Sequence, residues 1–173
     1  MDGRDIGPLR CLVATIAPGR ASIKDDVTKL VVDELRTAGF QVVRSVTVNR
    51  EKQFVAQLVE NVAGGNEADA IILLGGAGIG PRDYACEVVD GLAHRRIEGF
   101  GEEYRRLLRS DDASVPRAVL TRATAGAYNQ CVVIALPRQN VDVLRRAMQT
   151  LVVPVLPEAV RIATGAGHTP ASL

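Results

Sequence analysis

The chain has 173 residues, of which 47% are hydrophobic and 24% are charged, and its formal net charge at pH 7 is +1. This length suits a single domain with a sizeable core, and the composition excludes a disordered or collagen-like chain. Near-neutral charge and only 3% aromatic residues argue against a nucleic-acid partner. No apolar run reaches the ~18 to 20 residues that span a bilayer, and the polar N-terminus is unlike a secretory signal. We therefore expect a cytoplasmic protein that has no membrane partner.

The three cysteines and the two histidines lie far apart in the sequence, without the spacing of a disulfide framework or a zinc site. Free thiols suit a reducing compartment. Cys86 follows Asp83 closely, near the expected start of a helix, so a reactive thiol and a small packing residue are both open interpretations.

Apolar patterning predicts alternating strands and helices along the first half of the chain. The predicted elements are, in order, a strand at 12–16, a helix at 22–38, a strand at 40–48, a helix at 50–62 and a strand at 70–74. The third strand, AIILL, is apolar throughout, as expected of a strand that is covered on both faces. This β-α-β-α-β order predicts a parallel sheet with right-handed crossovers.

The second half of the chain has a less regular pattern. The predicted elements are short helices at 87–93 and 102–109, strands at 118–121 and 131–136, and a helix at 141–151. We expect the two strands to be locally antiparallel, joined through a turn at 126–130. Pro154 and Pro157 are expected to bracket a short closing element. The chain then reads as one domain at 1–163 with a flexible tail at 164–173.

A glycine-rich segment, GGAGIGPRD at 75–83, directly follows the apolar third strand. Glycines at the carboxyl end of a strand let backbone approach a ligand closely, and α/β sheets bind ligands at that edge. Exposed backbone N–H groups in such a turn suit an anion such as phosphate. The segment matches neither the dinucleotide-binding fingerprint nor the P-loop, so a tight turn without a ligand is the alternative.

Asp83 and Glu87 are four residues apart at the end of this segment. A helix beginning near Asp83 would bring both carboxylates to one face, where they could hold Mg²⁺ together with substrate phosphates. The alternative is that Asp83 caps the helix and Glu87 is solvated.

Four motifs occur in order along the chain: GGAGIGPRDYACE at 75–87, IEGFGEEYRRL at 97–107, TRATAG at 121–126 and ALP at 135–137. In this order and spacing they resemble the MoaB/Mog family of molybdenum cofactor biosynthesis proteins and the related molybdopterin-binding domain of gephyrin. The resemblance extends from Leu12 to about Ile162. It implies a three-layer α/β/α sandwich with a mostly parallel central sheet, assembled as a homotrimer. Active members bind molybdopterin and adenylylate it with ATP and Mg²⁺, releasing pyrophosphate.

The resemblance also assigns roles to residues of this chain. Asp83 corresponds to the acid of the family's RD pair and would be catalytic and a Mg²⁺ ligand. Asn49 falls where active members carry a catalytic acid. The positions that would bind the pterin or the nucleotide are Gly75, Gly76, Ala77, Gly78, Glu87, Thr121, Arg122, Ala125, Gly126, Pro137 and Arg138.

This chain departs from the family pattern at four positions. Ala77 and Ala85 replace threonines, Asn49 replaces an acid, and Arg138 replaces the glycine of a PGSP turn. Three functions stay open at this point. The chain is a molybdopterin adenylyltransferase with an altered pocket, a pterin-binding or scaffold protein with little turnover, or a pocket recruited for another phosphorylated heterocycle.

Overall fold

Six strands form the central sheet of the computed structural model, which describes residues 7–17 and 25–165. They are β1 (Arg10–Ile16), β2 (Gln41–Val48), β3 (Ala70–Leu74), β4 (Arg95–Arg96), β5 (Thr124–Tyr128) and β6 (Cys131–Leu136). The strand order is β2-β1-β3-β6-β5-β4. The pairs among β2, β1, β3 and β6 are parallel, whereas β5 and β4 continue the sheet as antiparallel strands. The predicted parallel sheet is therefore confirmed.

Helices cover both faces of this sheet. They are α1 (Asp26–Thr37), α2 (Lys52–Gly64), α3 (Ala85–Leu92), α4 (Glu98–Leu108), α5 (Val115–Val119), α6 (Val141–Ala147) and α7 (Val153–Ala163). One core joins alternate strand residues such as Val13 and Ile72 to α1, α4, α6 and α7. The residues between them, such as Leu12 and Ile71, pack against α2 and α3. Because successive side chains of a strand point to opposite faces, an all-apolar strand such as β3 requires a helix layer on each side.

The prediction of a strand at 118–121 is wrong. Ala118 and Val119 end α5, a short helix with Pro116 in its first turn, and the strand lies further on, as β5. A short apolar run does not distinguish a strand from a helix by periodicity, and proline is well tolerated in a first helical turn. The antiparallel pairing with β6 is confirmed, with the turn at Asn129 and Gln130, which have positive φ values of 47° and 65°.

The C-terminal helical segment is longer than the pattern predicted. The helix expected at 141–151 begins at Val141, passes through a π-helical turn at Met148–Val152 and continues as α7 to Ala163. Pro154 and Pro157 lie within α7 and do not bracket a separate element. Most of the tail expected at 164–173 lies outside the described residues, as do positions 22–24 of the first predicted helix. No helix in the described ranges is long and apolar enough to cross a membrane.

Gly101 provides a test of the packing between α4 and the segment before β5. A Cβ atom built at Gly101 would lie 2.5 Å from the carbonyl oxygen of Ala123, whereas one built at Gly99, in the same helix, would meet nothing within 4 Å. We expect Gly101→Ala to lower the free energy of unfolding by about 1–3 kcal/mol, because backbone must move apart. Gly99→Ala, the matched control, should leave it unchanged or raise it by less than about 1 kcal/mol. Denaturant unfolding measures both, and equal effects would contradict the packing.

Candidate functional site

A cavity of about 380 Å³ lies at the carboxyl ends of the parallel strands. Ala17 follows β1, Gly75 follows β3 and Pro137 follows β6, so three neighbouring strands deliver their next residues to one edge. This is the edge at which open α/β sheets bind ligands. The lining residues are Ile16, Ala17, Arg50, Gly75, Gly76, Ala77, Gly78, Arg82, Asp83, Pro137 and Arg138.

The glycine turn depends on backbone conformations that other residues rarely adopt. Gly75 and Gly76 have φ values of +109° and +67°. A Cβ atom at Gly76 would lie 3.2 Å from side-chain atoms of both Ile16 and Ala85. The backbone N–H of Gly75 donates to the carbonyl of Leu136 at 2.8 Å, which ties the turn to the end of β6. These glycines thus hold backbone close to the cavity, as the sequence predicted.

Asp83 folds back onto the turn. Its Oδ2 accepts the backbone N–H of Gly80 at 2.7 Å. The next helix begins only at Ala85, after Tyr84, and its N-cap position makes no side-chain hydrogen bond. Neither sequence interpretation of Asp83 therefore describes the structure, because this carboxylate caps the glycine turn and does not share a helix face with Glu87.

Arg122 supports the turn through hydrogen bonds to its backbone and lines a neighbouring pocket with Asp83 and Glu87. Its Nε donates to the carbonyl of Gly78 at 2.7 Å and its Nη2 to the carbonyl of Asp83 at 3.0 Å. Its Nη1 lies 2.5 Å from Oε1 of Glu87. The hydrogen bond from Arg122 lowers the pKa of the Glu87 carboxyl, which stays ionised and keeps this contact at neutral pH. The structure therefore does not bring Arg122 and Glu87 into the cavity lining.

The rest of the TRATAG segment is also absent from that lining. The buried Thr121 donates its hydroxyl to the carbonyl of Arg117 at 2.9 Å. Ala125 is buried within β5, and a Cβ atom at Gly126 would lie 2.6 Å from Cβ of Ala93. The positions of these three residues are accounted for by a local hydrogen bond and by packing within the domain.

Asn49 makes a local backbone contact. Its Oδ1 accepts the N–H of Glu51 at 2.9 Å, just before α2. The neighbouring residue, Arg50, lines the cavity. Four lining residues were not predicted from the sequence: Ile16, Ala17, Arg50 and Arg82. The signal that could have identified Ala17 and Arg50 is that each closely follows a parallel strand, at the same edge as the glycine turn.

Arg138 crosses the cavity and pairs with a distant acid. Its Nη2 lies 3.1 Å from Oδ1 of Asp25. Asp25 is also the N-cap of α1, where its carboxylate accepts the N–H and the hydroxyl of Thr28. Among the described residues, the cavity lining carries three arginines, Arg50, Arg82 and Arg138, and one acid, Asp83. This excess of positive charge favours an anionic ligand.

Cys86 is a packing residue. Burial raises the pKa of its thiol to about 12, so the nucleophilic thiolate is scarce at neutral pH. The thiol lies 2.8 Å from the carbonyl oxygen of Arg122, to which it donates. The reactive-thiol alternative has no support from this geometry.

The side chains around the cavity do not fit a bound Mg²⁺ ion. Mg²⁺ takes one or two carboxylates together with phosphates, and Asp83 has one oxygen committed to Gly80 while three guanidinium groups repel a cation. Over residues 7–17 and 25–165 there is no cluster of three or more His, Cys, Asp or Glu side chains that could hold a metal ion.

The fold and the cavity together define a class of protein: a three-layer α/β domain whose glycine turn and arginines form a site suited to an anion. Residues 12–158 match the family described as "Probable molybdopterin binding domain". The chain belongs to this family, and within it to the MoaB/Mog group of molybdenum cofactor biosynthesis proteins.

Individual relatives align with most of the chain. Molybdenum cofactor biosynthesis protein B of Bacillus subtilis is 31% identical over 153 residues, which cover 88% of this chain and 89% of the relative. A crystal structure of a molybdenum cofactor biosynthesis protein B has a TM-score of 0.81 at 29% identity, covering 91% of this chain and 96% of that one. The Mog protein of Mycobacterium ulcerans has a TM-score of 0.78 at 25% identity, with coverages of 92% and 99%.

Arg122 provides a test of the support behind the glycine turn. Arg122→Ala would leave the carbonyl oxygens of Gly78 and Asp83 and the carboxylate of Glu87 without their donor. We expect the free energy of unfolding to fall by about 1–2 kcal/mol. This is the lower end of the range for removal of a charged donor, because the Arg122 side chain is 35% exposed. For a chain of this length the melting temperature should fall by roughly 2–4 °C per kcal/mol.

Arg106→Ala is the matched control, because Arg106 pairs with Glu103 on the exposed face of one helix. Such a pair contributes little, so its melting temperature should stay close to that of the unmodified chain. Calorimetry of both variants decides the point. A fall for Arg106→Ala as large as that for Arg122→Ala would contradict a special role of Arg122.

Proposed function

We propose that this chain binds molybdopterin in the glycine-turn cavity, as a pterin-binding protein of molybdenum cofactor biosynthesis. The observation that carries the proposal is the lining of the cavity. Arg50, Arg82 and Arg138 lie around it together with Gly75 and Gly76, whose backbone is exposed to the ligand space. Molybdopterin carries a phosphate, and guanidinium groups recognise phosphate through paired, charge-assisted hydrogen bonds. Membership of the molybdopterin-binding family supports the pterin as the rest of the ligand.

The dimensions of the cavity agree with this ligand class. Its volume of about 380 Å³ lies within the roughly 300–1,000 Å³ range of small-molecule pockets. The apolar contribution comes from Ile16, Ala17, Ala77 and Pro137, which leaves flat surface for a heterocycle beside the charged groups. In this arrangement the backbone and the arginines hold the phosphate, and the small apolar residues contact the ring.

A substitution that fills the cavity tests the proposal. Ala17 is half-buried, and its N–H donates to Val48 at 2.8 Å, so its backbone position is fixed by the sheet. We expect Ala17→Leu to weaken molybdopterin binding by about tenfold or more in calorimetric titration, because the added side chain takes ligand space. Ala38→Leu, at an exposed position after α1, should bind as the unmodified chain does. Equal affinities for all three proteins would place the ligand elsewhere.

Adenylyl transfer from ATP is the second candidate function. The observation that favours it is the number of arginines, since three guanidinium groups exceed what one pterin phosphate requires and can also neutralise a triphosphate. The pterin phosphate would attack the α-phosphorus of ATP, and pyrophosphate would leave. Pyrophosphate release from ATP and purified molybdopterin, with and without Mg²⁺, measures this activity. Binding without release would leave the chain a pterin-binding or scaffold protein.

We further propose a homotrimer whose contact surface is an apolar groove between α7 and the β5–β6 hairpin. The groove has a volume of about 960 Å³, at the upper end of the range of small-molecule pockets. Its apolar lining includes Ile97, Val132, Val155 and Ile162. A groove this large and apolar is typical of an interface, and a second copy of the chain is the occupant that the resemblance implies.

Charge placed in this groove should disrupt the assembly. We expect Val155→Asp to convert a particle of about three times 18.5 kDa into one of 18.5 kDa, since a buried carboxylate at the interface has no partner. Val119→Asp is the control, because Val119 is 67% exposed on α5, outside the groove. Light scattering at micromolar concentration measures both masses. A monomer for the unmodified chain would contradict the trimer, and a trimer for Val155→Asp would contradict this surface.

A further inference from the structure

Arg138 occupies a position that a surface arginine rarely takes. It follows β6 and Pro137, and its side chain is only 23% exposed. A Cβ atom built at Gly75 would lie 3.7 Å from Cδ of Arg138, so the aliphatic part of the side chain lies across the first glycine of the turn. The guanidinium group is thus held at the cavity by the packing of its own stem.

The Asp25 carboxylate accepts a hydrogen bond from only one nitrogen of this guanidinium group. Nη2 of Arg138 pairs with Oδ1 of Asp25, whose two oxygens also accept the N–H and the hydroxyl of Thr28. Nη1 is buried and has no hydrogen-bond partner among residues 7–17 and 25–165. A buried donor without a partner is unfavourable, and an oxyanion that reaches this guanidinium group on binding would supply the missing acceptor.

The other charges around the cavity favour the same kind of ligand. Arg50 and Arg82 add two further guanidinium groups, while Oδ2 of Asp83, the one acid among the described lining residues, is already bonded to Gly80. A divalent cation would meet three guanidinium groups, of which one is paired with Asp25, and one partly used carboxylate. A phosphate would meet three sets of N–H donors.

We propose that Arg138 is a phosphate-binding residue of the cavity, fixed in place by Asp25, and that the site binds its phosphorylated ligand through arginine without a divalent cation. The proposal rests on the location of the site in the proposed function but does not depend on the pterin. It places the phosphate next to Gly75, beside the guanidinium group of Arg138. The ligand class is therefore a phosphomonoester or diphosphate, recognised by its oxyanion.

Calorimetric titration in the presence of EDTA tests this, with inorganic pyrophosphate and molybdopterin as separate probes. The unmodified chain should bind both. Arg138→Gln should weaken both by roughly 10- to 100-fold, because a charge-assisted hydrogen bond is lost. Arg138→Lys should recover part of the loss, since it keeps the charge but not the paired donors. Arg36→Gln removes the same charge at the far, exposed end of α1 and should change neither affinity.

A measurement on the unmodified chain covers the case of a variant that fails to fold. The Nε–H resonance of Arg138, followed with ¹⁵N-labelled arginine, should shift during the pyrophosphate titration, while that of Arg36 stays in place.

Four results would overturn the proposal: unchanged affinity in Arg138→Gln, an Arg138 resonance that does not move, binding that appears only when Mg²⁺ replaces EDTA, or no pyrophosphate binding at millimolar concentration. Pyrophosphate binding that depends on Arg138, without any binding of molybdopterin, would support the arginine site and contradict the pterin function.

Discussion

The geometry of the site depends on one set of hydrogen bonds, those from the Arg122 guanidinium to the segment that follows β3. That segment has carbonyl groups at Gly78 and Asp83 that no helix or strand satisfies, and Arg122 supplies the donors for both. Glu87 compensates the charge of the arginine from the first turn of α3. With these carbonyls bonded, the turn can present its glycine backbone to the cavity.

Glycines serve two different purposes in this chain, although they look alike in the motifs. Gly75 and Gly76 adopt positive φ and let backbone approach the cavity. Gly101 and Gly126 instead allow neighbouring backbone and side chains to approach within distances that a Cβ atom would prevent. A glycine in a motif therefore indicates that other atoms come close to the backbone in both cases. Whether these atoms belong to a ligand or to another part of the chain depends on the surrounding residues.

The arginines give the cavity its chemical character. Arg138 and Asp25 are 113 positions apart in the sequence, and they meet because Arg138 follows β6 and Asp25 precedes α1. Arg50 follows the end of β2. Their combined charge favours phosphate and opposes a bound divalent cation.

The sequence by itself determined the parallel β-α-β core, the glycine turn after the third strand and the family. The period of the apolar residues and the ordered motifs are local signals that survive without a structure. The tertiary structure alone decided the strand at Thr124–Tyr128, the role of Arg122 behind the turn and the meeting of Arg50, Arg82 and Arg138 around one cavity. These depend on contacts between distant segments, and the periodicity of a segment carries no information about which distant side chains its ends will meet.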